Sequence, residues 1–182
     1  PRIASAMAYD SARAVIVLFG GDLADGGTWE WDGTVWSQRG VSGPSARIAS
    51  AMAYDSARAV TVLFGGYTVP SPHFDAETWE WDGTAWAQRI VSGPAARDYH
   101  AMAYDSVRRV TVLVGGQNAV GSFGDVWEWN GSTWAQRSDP GPSPRYGLAI
   151  AYDEARAAAV LFGGRPVGPV ENDTWGLRIT CY

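Results

Sequence analysis

Apolar positions recur along this chain in short blocks with two periods. Over residues 4–9 the small residues Ala4, Ala6 and Ala8 alternate with Ser5, Met7 and Tyr9. A period of two predicts a strand, and its alanine face predicts close approach to a neighbour. Asp10-Ser-Ala-Arg13 follows as a turn, since an Asp carboxylate readily caps a tight bend. Val15–Phe19 is a continuous apolar run, as expected of a strand covered on both faces. Trp29-Glu30-Trp31 places two indoles on one face, Asp32-Gly33 is a strong hairpin signal, and residues 34–39 supply the partner strand. One such unit predicts four antiparallel strands.

The unit then repeats. Arg2 to Asp10 returns almost letter for letter as Arg47 to Asp55, and more loosely as Arg97 to Asp105 and Arg145 to Asp153. Each copy runs without a gap to a glycine pair, at Gly20-Gly21, Gly65-Gly66, Gly115-Gly116 and Gly163-Gly164. Trp-Glu-Trp begins at Trp29, Trp79 and Trp127, and the hairpin signal recurs as Asp82-Gly83 and Asn130-Gly131. The fourth copy departs from the pattern with Trp175-Gly176-Leu177 and stops before any such hairpin. Repeats of this length, rich in strand signals, predict an array of similar sheets.

Composition agrees. The chain has 182 residues with 22 Gly, 10 Trp and 8 Tyr; Lys is absent, so all 14 basic residues are Arg. Scarce Leu, Lys and Glu argue against helical bundles. The net charge of −5 opposes a sequence-independent grip on nucleic acid, and no apolar run is long enough for a membrane-spanning helix. A single cysteine, Cys181, excludes an intrachain disulfide.

The order Arg, strand, Gly-Gly, variable gap, Trp-x-Trp, short gap, Trp resembles the kelch repeat over essentially the whole chain. The resemblance implies an all-β propeller of four blades, about 1–45, 46–95, 96–143 and 144–182, in one domain that is either whole or a segment of a larger protein. It implies that each first strand lines a central channel and each fourth lies at the rim. The chain is closer in pattern to bacterial secreted or envelope kelch proteins than to eukaryotic adaptors, which sets an extracellular or envelope location as the expectation. Its opening at Pro1 rather than Met fits removal of a leader or excision from a longer chain. With no fourth strand in the last copy, the expectation is an open arc that pairs with a second copy or continues into further blades.

Most conspicuous residues read as architecture. The tryptophans fall in register and are expected to pack blade on blade. Asp10/Arg13, Asp55/Arg58, Asp105/Arg108 and Asp153/Arg156 are expected ion pairs across turns. Glu77, Asp125 and Asp173 read as loop braces, and His100 as structural. Motifs for nucleophilic catalysis, phosphate cradling or metal binding are missing, so neither cofactor nor metal is expected.

All variation in length falls between the glycine pair and the next Trp, in segments 22–28, 67–78, 117–126 and 165–174. Individual loops on a uniform scaffold are where binding usually sits. That face offers Tyr67, His73, Phe74, Asp75, Gln117, Asn118, Phe123, Arg165, Glu171 and Asn172, joined by Asp98, Tyr99 and Tyr146 at the starts of inner strands. Two functions follow as expectations: a non-catalytic module holding a protein or polysaccharide partner, or a carbohydrate-active lyase or hydrolase with its site at the channel mouth.

Overall fold

A computed structural model describes residues 2–69, 73–139, 141–166 and 173–177. These residues form strands, turns and loops without helix. Four principal antiparallel sheets follow the four repeats. The first orders Ala6–Asp10, Val15–Phe19, Thr28–Trp31 and Trp36–Arg39 as neighbours. The second holds Ala51–Asp55, Val60–Phe64, Thr78–Trp81 and Trp86–Arg89. The third holds Ala101–Asp105, Val110–Val114, Val126–Trp129 and Trp134–Gln136. The fourth has three strands, Ala149–Asp153, Ala158–Phe162 and Thr174–Leu177. Residues 178–182, where its fourth strand would be sought, lie outside the described residues. Successive sheets meet along their first strands.

Two strand boundaries differ from the sequence reading. The first strand begins at Ala6 because Ala4 turns into the left-handed region, with φ at 51°. The last strand begins at Trp36, since Asp32 to Val35 form a four-residue loop rather than a two-residue turn. The Asp32 carboxylate accepts bonds from the Thr34 and Val35 amides at 2.8 and 2.9 Å, which closes the loop.

Each interface sets small residues against large ones. Ala6, Val17 and Phe19 of the first sheet pack on Met52, Leu63, Trp81 and Trp86 of the second. Ala53, Val62 and Phe64 likewise receive Met102, Leu113, Trp129 and Trp134. The indole N–H groups are satisfied across the junction: Trp81 and Trp129 donate to Glu30 and Glu80 at 3.0 and 2.8 Å. Trp86 and Trp134 donate to Thr28 and Thr78 at 2.8 and 2.9 Å. These four buried indole N–H groups therefore stay paired, which avoids a penalty of about 1–3 kcal/mol each. Trp81, Trp86, Trp129 and Trp134 pack sheet on sheet, as their register implied, whereas Trp36 and Trp175 are exposed.

The Asp-x-x-Arg turns do more than pair locally. Arg13 binds Asp10 and also reaches Glu30, both at 2.7 Å. Arg58 does the same with Asp55 and Glu80 at 2.7 and 2.6 Å. Held this way, the guanidinium of Arg13 lies under Gly83 of the next sheet, where an added Cβ would come within 2.8 Å of it. Gly33 has the same positive φ but nothing within 4 Å. Gly33→Ala is expected to destabilise by about 1–2 kcal/mol through backbone strain alone. Gly83→Ala is expected to cost at least about 1 kcal/mol more, because a doubly bonded guanidinium must move. Urea denaturation of the two variants checks this; equal losses would mean that the Arg13 contact carries no weight.

Candidate functional site

The loop face is built on buried arginines. Arg47, Arg97 and Arg145 are fully buried. Each donates to a glycine carbonyl eighteen residues on, at Gly65, Gly115 and Gly163, over 3.0, 2.9 and 3.0 Å. Each also holds an acid that enters the third strand: Glu77 at 2.8 Å, Asp125 at 2.6 Å and Asp173 at 2.5 Å. The acids expected to brace loops do so. Asp25 does the same for Arg2 at 2.5 Å, although it lies four residues before Trp29 rather than two. For Asp173, the bonds from Arg145 and Trp175 hold the carboxyl down at about 2. For Glu77, burial would raise the pKa, but bonds from Trp79 and Arg47 outweigh it and lower it.

Between these anchors the second loop folds into a small sheet of Arg47–Ile48, Tyr67–Thr68 and His73–Phe74. Tyr67 and Phe74 meet edge to face at 5.5 Å, and His73 is exposed with its ring nitrogens 3.2–3.3 Å from the Thr68 hydroxyl. Asp75 is buried and sits 3.4 Å from Arg47, so it serves the anchor rather than the surface.

The third and fourth repeats bring several candidates together. Asp98 bridges Gln117 through the backbone, and both amides donate across at 2.9 Å. Tyr99 is exposed and lies 6.3 Å from the half-buried Tyr146, which pairs with the exposed Arg165. Asn118 organises its own loop, accepting from the Val120 amide at 2.8 Å and donating to the Ala96 carbonyl at 3.2 Å. Phe123 is covered by the Arg97 guanidinium at 4.0 Å. Glu171 and Asn172 lie outside the described residues.

Asp98 is the electrostatically unusual member. It is 5% exposed, and its Oδ1 has no hydrogen-bond partner among the described residues. Burial pushes its pKa up to about 6, with the Gln117 side chain pulling weakly the other way. His100, two residues on, is buried against Phe64, with ring centroids 5.5 Å apart. Burial and the nearby Arg97 charge lower its pKa to about 3, so it stays neutral and structural.

A second hollow, unforeseen from the sequence, opens at the other end of the first strands. It encloses about 570 Å³ and is lined by Tyr9, Tyr54, Tyr104 and Tyr152 with Ser56 and Ser106. The signal was present in the Tyr-Asp pair of every copy. Its tyrosine hydroxyls face the carboxylate of the preceding repeat, Tyr54 at Asp10 and Tyr104 at Asp55; with burial, this raises both phenol pKa values, that of Tyr104 to about 12. Among the described residues no cluster of three His, Cys, Asp or Glu could hold a metal ion, and no helix is long and apolar enough to cross a membrane.

The pKa of Asp98 fixes a sign. Between its ordinary value of 3.8 and about 6, the folded chain keeps a proton that the unfolded chain has released. Stability therefore falls as pH rises through that window and levels off above it. Asp98→Asn is expected to gain on the order of 1–3 kcal/mol at pH 7 and nothing below pH 4. Urea titrations of both proteins across this range check the slope; a loss at pH 7 would mean that the carboxylate is needed charged.

No family model matches the chain, and neither does any curated protein. Among solved structures, one titled "Structure of YjhT" matches with a TM-score of 0.75 at 12% identity. The match covers 90% of this chain and 58% of that one, so the chain spans less than two thirds of its neighbour's length. At that identity the likeness concerns the fold alone.

Proposed function

We propose that the four sheets are blades of a kelch-type β-propeller, and that the chain is a non-catalytic binding module whose variable loop face holds a protein or polysaccharide partner. The blade reading is supported by four in-register sheets meeting along their first strands and by the likeness to a longer solved structure. The binding reading rests on one observation above others. Exposed Tyr99 and half-buried Tyr146 lie 6.3 Å apart, each directly after the opening of a repeat anchored by a buried arginine; the other repeats carry Ala or Gly at the first position and Ile or Asp at the second. An aromatic pair beside carboxamide and guanidinium groups suits a sugar ring or a peptide, because π-faces and directional donors occur together.

Asp98 favours a second reading. A buried carboxylate titrating near 6, with one oxygen unpartnered, could move a proton during glycan cleavage. Affinity electrophoresis in gels cast with neutral and with acidic polysaccharides separates the two. The module should be retarded in at least one gel, and Tyr99→Ala with Tyr146→Ala should abolish retardation without new reducing ends or unsaturated products from the wild type. Product release that Asp98→Asn stops would establish the enzyme. Retardation indifferent to both tyrosines would place binding elsewhere.

A further inference from the structure

At the junction of the first and second sheets, two rows of polar side chains face each other. On the first sheet, Arg13 binds Asp10 and Glu30, both at 2.7 Å, and so spans the space between two carboxylates. On the second sheet, Tyr54 pairs with Thr61 and Thr61 with Trp81 in ladder register. Directly paired residues share a face, so these three side chains form one row. The ends of that row are fixed: the Tyr54 hydroxyl faces Asp10, and the Trp81 indole donates to Glu30 at 3.0 Å. The middle member, Thr61, therefore stands opposite the Arg13 guanidinium.

The junction of the second and third sheets repeats this residue for residue. Arg58 spans Asp55 and Glu80 at 2.7 and 2.6 Å. Tyr104, Thr111 and Trp129 form the facing row. Tyr104 faces Asp55, and the Trp129 indole donates to Glu80 at 2.8 Å. A threonine again occupies the centre, opposite a guanidinium.

Both centres hold polar atoms that the protein leaves unbonded. Nη2 of Arg13, the hydroxyl of Tyr54 and Oγ1 of Thr61 are buried with no hydrogen-bond partner among the described residues. The same three atoms of Arg58, Tyr104 and Thr111 share that state. Both threonines are wholly buried. Orphaned polar atoms in the interior are costly, and the same trio recurs at two equivalent points, so a common partner accounts for both. The three groups face one another but stand too far apart to bond directly. One N–H donor and two hydroxyls, each able to donate and to accept, supply the three or so bonds that an internal water makes. Two carboxylates beside each centre disfavour an anion, and the guanidinium disfavours a cation.

We infer that each of these two junctions holds one internal water molecule, bound by Arg13, Tyr54 and Thr61 in the first and by Arg58, Tyr104 and Thr111 in the second. The water carries the reach of each arginine fork across to the sheet that follows. The third junction marks the limit of the device. Arg108 again spans Asp105 and Glu128, both at 2.7 Å, but the facing row is Tyr152, Ala159 and Leu177. With no hydroxyl at its centre, that junction holds no such water.

Oxygen-17 magnetic relaxation dispersion, which detects internal waters by their long residence, tests this on the intact chain alongside urea denaturation. The double variant Thr61→Val with Thr111→Val should lose the amplitude of two internal waters relative to the wild type, and each single variant half of that. Circular dichroism should stay unchanged, because valine keeps the shape of threonine. The urea midpoint of each variant should fall, since the water loses a partner. Replacing a truly orphaned hydroxyl by a methyl group would instead raise the midpoint or leave it in place, and either result would overturn the proposal. An amplitude that the double variant leaves unaltered would overturn it too. So would a wild-type midpoint that rises with chloride at fixed ionic strength, which would assign both centres to a bound anion.

Discussion

The structure depends on a guanidinium taken wholly out of water at the start of each internal repeat. Burying Arg47, Arg97 or Arg145 would be prohibitive without partners, because a buried ion loses several kcal/mol of hydration. Each finds a carboxylate, a glycine carbonyl and a carbonyl two residues back, at Ser45, Ala95 and Ser143. Lysine could not replace it, since its point charge lacks the planar fork that reaches three directions at once. The consequence is topological. One side chain ties the start of the first strand to the end of the second and the entrance of the third. The segment between the last two is closed off as a loop whose ends cannot drift, which lets its interior change freely between repeats.

A second constraint runs from sheet to sheet. Small residues face forward and large ones backward, so the interface is directional and cannot be satisfied by two identical faces meeting. Glu30 and Glu80 make the point in charge: each is buried, and each answers arginines of its own sheet and an indole of the next. Burial alone would raise the pKa of Glu30, but Arg13, Trp81 and Arg39 outweigh it and lower it. Where the partner indole is missing, as at Glu128, the carboxylate is left 21% exposed. Packing and charge are thus settled by the same neighbour.

Much of this was legible in the sequence, and what was not has physical reasons. Strands, turns and sheet order follow from period and from Asp, Gly and Trp in fixed register, since those residue types have few other uses at such spacing. The loop braces were readable at Glu77, Asp125 and Asp173 but not at Asp25, which reaches Arg2 from a different spacing. Left-handed backbone at Ala4, Ala49 and Tyr99 could not be read, because alanine and tyrosine do not announce it. At Ala49 and Tyr99 the left-handed backbone comes with an amide bonded across the junction, and a linear sequence carries no mark of that exchange. Residues such as Asp75 looked available because their type suits ligands. Only a fold shows that Arg47 already occupies it.

The third repeat shows how function and fold can be separated in such an array. Its Asp98-Tyr99-His100 replaces the Ile-Ala-Ser of the first two repeats, directly after a buried arginine. Tyr99 keeps the structural duty of Ala49, a left-handed backbone bonded to its predecessor, and spends its side chain outward. His100 fills space against Phe64 that Ser50 would leave open, and so offers packing rather than chemistry. Asp98 is buried where the first two repeats carry Ile, and burial raises its pKa to about 6 while Oδ1 has no partner among the described residues. Under the binding function proposed for the loop face, that unpartnered oxygen is the group the third repeat adds for a ligand to meet.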